Sequence, residues 1–351
     1  MFALLTGLWA GLARLGWAVP LPRPGFSSLH GPLMVSGFLG TLISLERAVA
    51  LGRPWAYAAP LLTGLGGVGL IVGAPLIAAQ WLILAGSLGL VAIFAAIIRR
   101  HPALYTFTMG GGSLVWALGN LLWCLGWPVF LVVFWWAAFL VVTIAGERLE
   151  LARLQQVTGA AQATFLLLLG ILLTGLLLLG WSFDGGVRLF GLGLAGLALW
   201  LGRHDIARRT VKQAGLTRFI AICLLTGYVW LGISGLSAMW FGGVPVGPQY
   251  DATLHAFFLG FVFAMIFAHA PIIFPAVLGA RMAYRPLFYA HVVLLQVTLV
   301  VRLIGDAAGW SAGRQVGGLL NAVTLLLFLV NTVSALQSPP ERAGTAQGRG
   351  A

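Results

Sequence analysis

Charged residues are rare in this sequence. Only 8% of its 351 residues are Asp, Glu, Lys or Arg, whereas 60% are hydrophobic and the mean hydropathy is +1.00. Soluble domains carry roughly 25% charged residues. A chain of this length with so few charges cannot build a surface for water, so the composition excludes a soluble fold. It predicts an all-α, polytopic integral membrane protein.

Cysteine and acidic residues are also scarce. The two cysteines, Cys124 and Cys223, both lie in apolar runs, which argues against a disulfide framework and a cysteine-type zinc site. Lys and Arg outnumber Asp and Glu by 20 to 8, giving a net charge of +12. In a soluble protein that excess would suggest nucleic acid, but in a polytopic protein it is typical of topology signals. We therefore expect a lipid bilayer as the partner and no nucleic acid.

Apolar runs of about 20 residues, the length that crosses a bilayer, occupy most of the chain. They predict about twelve transmembrane helices in one helical domain over residues 1–336, followed by a disordered cytoplasmic tail over residues 337–351. The runs cover residues 2–20, 29–51, 55–78, 80–98, 104–125, 128–146, 161–181, 186–202, 217–240, 252–280, 286–305 and 314–336.

Basic residues collect in every second connection between these spans. The connections after odd-numbered spans contain little beyond Arg23, Arg188 and Arg314. Because Lys and Arg favour the cytoplasmic side, this pattern places both termini in the cytoplasm. The connections after even-numbered spans contain Arg53, Arg99, Arg100, Arg203, Arg208, Arg209, Lys212, Arg281 and Arg285.

Histidines inside the spans are the first functional candidates, because ionisable groups are costly within a bilayer. His101 and His204 fall in basic loops and are interpreted as solvated. His30 opens the second span and His255 the tenth, each just after a capping-type residue and a Pro/Gly loop. This short repeated pattern predicts that the two histidines lie at one depth, near the outer face, on different helices.

Two histidines that face each other from different helices are what a six-coordinate b-type haem needs for its axial positions. We therefore predict His30 and His255 as haem ligands, with Gly37, Gly40 and Gly260 as small residues that let a macrocycle approach. The alternative is that both histidines are interfacial residues that bond loop carbonyls.

Haem propionates bind cations at the water boundary. Arg302, near the outer end of the eleventh span, is the first candidate, and Arg23 and Arg314 are weaker ones. Asp306 lies one turn after Arg302, which predicts an ion pair between the two.

A second site is predicted deeper in the bundle. His269 lies about 21 Å beyond His255 along the tenth span, at a depth similar to that of His291 in the eleventh. Pro271 and Pro275 free backbone carbonyls nearby. The two histidines are candidates for a metal or substrate site, and the alternative is that each is a buried histidine bonded to a freed carbonyl.

Two adjacent acid–base pairs stand at the inner ends of spans. Glu46 and Arg47 close the second span, and Glu147 and Arg148 close the sixth. This pattern favours a structural ion-pair network that ties helices together at the cytoplasmic boundary. A proton-entry role for Glu46 or Glu147 is the alternative.

The sequence resembles the NnrS family of haem- and copper-containing bacterial membrane proteins, and more distantly subunit I of the haem-copper oxidases. The residues that carry the resemblance are His30-Gly31-Pro32-Leu33-Met34 with Gly37-Phe38, and Leu254-His255-Ala256 with Gly260, Met265 and His269. The resemblance implies an oxidase-like helical bundle in the bacterial inner membrane, haem b with copper as a further possibility, and a role in electron transfer or nitric oxide metabolism, with a redox partner protein or quinone.

The sequence departs from the oxidase pattern where copper would bind. The sixth span contains Trp135, Trp136 and Thr143 instead of a ligand histidine, and the seventh is nearly all Leu and Gly. We therefore expect no oxygen reduction and no complete haem-copper active site.

Two other function classes fit the same residues. A cofactor-free transporter would use the proline-kinked tenth span with His269 and His291 as its substrate site. A scaffold or assembly factor would use the histidines structurally. The absorption spectrum of a bound haem separates the first hypothesis from both.

Overall fold

The computed structural model describes residues 1–152 and 158–337, and this part of the chain is almost entirely helical. Each predicted span corresponds to a helix, and the helices are numbered in chain order. They are α1 Phe2–Arg14, α2 Phe26–Leu51, α3 Pro54–Val72, α4 Leu76–Arg100, α5 Leu104–Cys124, α6 Val129–Ala152, α7 Gly159–Leu178, α8 Phe183–His204, α9 Gly215–Phe241, α10 Pro248–Val277, α11 Phe288–Ala307 and α12 Ser311–Ser334.

Ten of these helices, within the described residues, are long and apolar enough to cross a membrane, which is compatible with a polytopic membrane protein. The two others are α1 and α5. Helix α1 has 13 residues and so spans about 20 Å, less than the ~30 Å of a hydrocarbon core. Helix α5 has 21 residues, but three consecutive glycines and several polar side chains lower its hydropathy. A count of about twelve crossings therefore stays a prediction.

The outer surface of the bundle is apolar, as a bilayer requires. Leu61, Leu167 and Leu199 are each more than 60% exposed although they lie in the middle of helices. Trp181 and Trp240, which lie at helix ends predicted to face outward, are 84% and 81% exposed. Exposed tryptophans at helix ends are typical of the membrane–water interface. These surfaces suggest the lipid environment that the composition predicts.

Glycines let neighbouring helices approach closely. A Cβ atom at Gly191 of α8 would lie 2.6 Å from the carbonyl oxygen of Gly235 in α9, and one at Gly66 of α3 would lie 2.9 Å from that of Ala79 in α4. Larger residues would push these backbones apart. The abundance of glycine therefore follows from helix packing in lipid.

Helices α6 and α10 are the most buried of the membrane-crossing helices. Helix α10 contacts α2, α6, α9, α11 and α12, so it lies at the centre of the bundle. The candidate functional site is built around its N-terminal half.

Helices α2 and α10 share an uncommon backbone geometry. In both, a π-helical segment of eight residues follows the histidine closely: Leu33–Gly40 after His30, and Ala256–Phe263 after His255. The similarity between the two segments in sequence therefore extends to their backbone. Such π-helical turns are rare and concentrate at functional sites.

The end of the described chain folds back on the loop after α10. Strand β1 (Arg281–Met282) pairs antiparallel with strand β2 (Leu336–Gln337), a small addition to the all-α prediction. Gln337, the first residue of the predicted disordered tail, lies in β2. Residues 338–351, the rest of that tail, lie outside the described residues.

Candidate functional site

His30 of α2 and His255 of α10 face each other across the bundle. Their ring centroids are 6.1 Å apart and their planes differ by 24°. The prediction that two helices bring these histidines together at one depth is confirmed.

The residues before each histidine do not act as predicted. The Ser28 hydroxyl donates to the Gly25 carbonyl and the Thr253 hydroxyl to the Gln249 carbonyl, so neither accepts a capping hydrogen bond from its helix. Helix α10 begins at Pro248, four residues earlier than predicted, which places His255 two turns inside it.

Each imidazole is held through Nδ1. His30 Nδ1 lies 2.8 Å from the Gly7 carbonyl oxygen of α1, and His255 Nδ1 lies 2.9 Å from the Asp251 carbonyl oxygen one turn before it. Both Nδ1 atoms therefore donate a proton, and each Nε2 keeps its lone pair. Neither Nε2 has a hydrogen-bond partner within residues 1–152 and 158–337. The alternative that these histidines bond carbonyls thus holds for one nitrogen of each ring only.

A cavity of about 170 Å³ adjoins both rings. Its walls come from α1, α2, α6, α10, α11 and α12 and are mostly apolar. The side chains of Leu8, Met34, Val133, Phe258 and Leu325 contribute to them. Apolar walls with a few convergent polar groups are typical of a cofactor or ligand site, but such pockets usually measure about 300–1,000 Å³, so a haem requires the helices around this cavity to move apart.

Arg302 lies at this cavity and is only 5% exposed. Its Nε and one terminal nitrogen donate to the two carboxylate oxygens of Asp251, at 2.8 and 2.9 Å. The predicted ion pair of Arg302 with Asp306 is wrong, because Asp306 pairs with Arg314 of α12 at 3.3 Å. Arg302 therefore forms a bidentate pair with Asp251 of the neighbouring helix α10, and not an ion pair one turn along its own helix.

Two further arginines line the cavity, Arg14 and Arg314. Arg314 was a weaker sequence candidate, and Arg14 was missed because the first span was predicted to run through to residue 20. Helix α1 ends at Arg14, which therefore stands at a helix end. Arg23 does not line the cavity, since its guanidinium donates to the Leu70 carbonyl.

The glycines predicted to admit a macrocycle serve helix packing instead. A Cβ atom at Gly40 would meet the Trp116 ring, and one at Gly260 would meet the Trp230 ring. Gly37 faces Ala3 and Gly67. These side chains and backbones come from neighbouring helices, which no pattern in α2 or α10 reveals.

Gly11 of α1 instead leaves space for the imidazole ring of His30. A Cβ atom at Gly11 would lie 2.8 Å from His30 Nδ1 and 2.9 Å from Cε1. The absence of a side chain there lets the His30 ring pack flat against α1 and reach the Gly7 carbonyl.

His269 lies in a separate environment. Its Nδ1 is 2.7 Å from the Met265 carbonyl oxygen, and its Nε2 is 3.0 Å from a terminal nitrogen of Arg148. Arg148 is 6% exposed and donates to the imidazole, so a guanidinium occupies the nitrogen that a metal ion would need.

His291 is surrounded by aromatic rings. Its ring centroid lies 4.7 Å from that of Phe267 and 5.3 Å from that of Phe328, and Nδ1 is 3.3 Å from the amide nitrogen of Asn331. No contact joins it to His269 in the described part of the chain. There, no group of three His, Cys, Asp or Glu side chains is placed to hold a metal ion.

The predicted ion-pair network between helices forms in part. Arg47 of α2 bonds Glu147 of α6 and lies 3.4 Å from Glu46, so it joins two helices as expected. Arg148 bonds His269 of α10. Together these contacts tie α2, α6 and α10 near their C-terminal ends.

A family model described as Domain of unknown function (DUF8744) matches residues 1–337. The chain belongs to this family. The match includes both histidine-bearing helices and all three cavity arginines. No curated protein and no solved structure matches the chain. The chemistry of this DUF8744 protein therefore has to be argued from its own site.

Proposed function

We propose that this protein binds a b-type haem between His30 and His255 and works as a membrane electron carrier linked to nitric oxide metabolism. The observation that carries the proposal is the pair of imidazoles, each anchored at Nδ1 and each with Nε2 unbonded.

The spacing of the rings fits one iron atom between them. An axial bond of about 2.0 Å, with roughly 1.1 Å from the nitrogen to the ring centre, puts two axial imidazole centroids about 6 Å apart. The centroids of His30 and His255 are 6.1 Å apart.

The charges at the cavity suit the propionate edge of a haem. Arg302 was the sequence candidate, and it keeps one terminal nitrogen free of Asp251. Arg14 and Arg314 add two more cations, and the phenol of Tyr250 lies at the same cavity. Charge-assisted hydrogen bonds from arginine to carboxylates are strong and directional.

Two histidine ligands favour electron transfer over ligand binding at this iron. With both axial positions filled, nitric oxide would have to displace an imidazole that a carbonyl holds in place. The link to nitric oxide therefore rests on the NnrS resemblance, and electrons would pass to a protein partner or a quinone.

The proposal includes a haem-copper oxidase-like bundle in the bacterial inner membrane. The basic connections would place both termini in the cytoplasm and the histidine pair near the outer face. We do not extend it to copper at His269 and His291, because Arg148 and the phenylalanine cluster occupy their surroundings.

A reduced-minus-oxidised spectrum of the purified protein tests the proposal. The wild type should show the Soret and alpha bands of a b-type haem, and both His30→Ala and His255→Ala should lose them. His101→Ala and His204→Ala are the matched controls, because both histidines lie at helix ends away from the cavity, and they should keep the full signal.

A colourless wild type, even after expression with added haem, would overturn the haem proposal. The cofactor-free permease would then be the function to pursue, with α10 and its internal Pro271 and Pro275 as the place to look for a substrate site.

A further inference from the structure

The two histidines of the site differ in what holds them. His30 Nδ1 donates to a neutral backbone carbonyl, that of Gly7. His255 Nδ1 lies 2.9 Å from the Asp251 carbonyl oxygen and also 3.2 Å from a carboxylate oxygen of the same residue. Both imidazoles thus donate to a neutral carbonyl, but only His255 also has a carboxylate next to its Nδ1.

A carboxylate that accepts the Nδ1 proton makes the opposite nitrogen a stronger donor to a metal. Hydrogen bonds to ionised acceptors are roughly twice as strong as neutral ones. A more strongly donating axial ligand stabilises ferric over ferrous iron, which lowers the reduction potential.

The carboxylate is fixed in place. Arg302 holds both of its oxygens in a bidentate pair, and the Asp251 side chain is only 15% exposed. A group held this firmly acts on His255 with constant geometry and also keeps its ring oriented.

We infer that Asp251, positioned by Arg302, sets the reduction potential of the haem through the contact of its carboxylate with Nδ1 of His255. Asp251 is a positioning and tuning residue here, since it touches the ligand and not the iron. This inference rests on the proposed haem site.

Redox titration of Asp251→Asn tests the inference. Loss of the carboxylate should shift the ferrous/ferric equilibrium at least tenfold toward ferrous, which raises the midpoint potential by ~59 mV for one electron. Asp184→Asn is the control, because the Asp184 carboxylate pairs with Arg188 at an exposed end of α8 and contacts neither His255 nor Asp251 in the described residues. Its shift should be clearly smaller.

The double variant Asp251→Asn/Arg302→Gln removes the pair without changing net charge. It separates the contact with His255 from the through-space charge, and it also removes the buried arginine that the single variant leaves unpaired. Its potential should still rise. A shift in Asp251→Asn no larger than in Asp184→Asn, or an unchanged potential in the double variant, would overturn the inference.

The wild type gives a further readout that needs no substitution. The near-infrared charge-transfer band of its ferric haem should lie at higher energy than that of haem with two free imidazoles, because one ligand has imidazolate character. A band at the same energy would contradict the role of Asp251. Failure of the wild type to bind haem would contradict the proposed function instead, so the two failures are distinguishable.

Discussion

Substitution of Gly11 by alanine should loosen the His30 side of the site. The new methyl group would lie 2.8 Å from His30 Nδ1, whereas ordinary contact begins at 3.4 Å, so the ring must move by about 0.6 Å. The shift pushes His30 away from α1 and strains its bond to the Gly7 carbonyl. Overpacking of this kind costs about 1–3 kcal/mol, which corresponds to about 5- to 150-fold weaker haem binding.

The assay is a haem titration of the apo protein, with the spin state read from the absorption spectrum. Gly11→Ala should bind haem more weakly and show a high-spin fraction, since one axial ligand is displaced. Gly111→Ala is the matched control, because a Cβ atom there meets nothing within 4 Å. Wild-type affinity and a fully low-spin spectrum in Gly11→Ala would refute the packing of His30 against α1.

Three further predictions concern stability and topology. Glu147→Gln should lower the unfolding free energy by about 2–3 kcal/mol, because it removes the close partner of Arg47. Glu46→Gln should lower it by about 1 kcal/mol or less, because Glu46 lies farther from Arg47. Thermal unfolding in detergent measures both, and equal effects would contradict the pairing. His269→Leu should lower the unfolding free energy by about 3–5 kcal/mol, because the buried Arg148 loses the imidazole that accepts its hydrogen bond. The double variant His269→Leu/Arg148→Met should recover most of that stability in the same measurement. Reporter fusions in the α8–α9 connection should respond as cytoplasmic and those in the α7–α8 connection as external, and the opposite pattern would overturn the orientation.

Much of the fold follows from the sequence because hydropathy alone defines a membrane span. The predicted runs match the helices closely, as in the runs that became α4 and α9. The first run is the exception. Its apolar residues continue past Arg14, but the helix ends there and Gly16 adopts a left-handed conformation, with φ +88°. Hydropathy does not indicate such a turn. The predicted span therefore continued past Arg14, and Arg14 was not predicted as a cavity residue.

The site was predictable as far as it depends on depth along a helix. His30 and His255 could be paired because each stood near the outer end of its own span. The roles of Gly40 and Gly260 could not be inferred, since Trp116 and Trp230 come from helices that the pattern does not assign as neighbours. Side-chain direction around a helix depends on packing between helices, and the π-helical segments change that direction further.

Pairing between charged groups was the least predictable feature. The sequence places Glu147 and Arg148 in an ion-pair network but does not show their partners, because consecutive residues on a helix point about 100° apart and reach different neighbours. Arg148 therefore reaches His269 on another helix, and Glu147 reaches Arg47.

An experimental density map of the purified protein tests the central claim most directly, with anomalous scattering recorded at the iron edge. We expect a planar macrocycle in the cavity and an iron peak about 2 Å from Nε2 of both His30 and His255. A map that shows the two imidazoles with no iron peak between them, or an iron bound to only one of them, would contradict it.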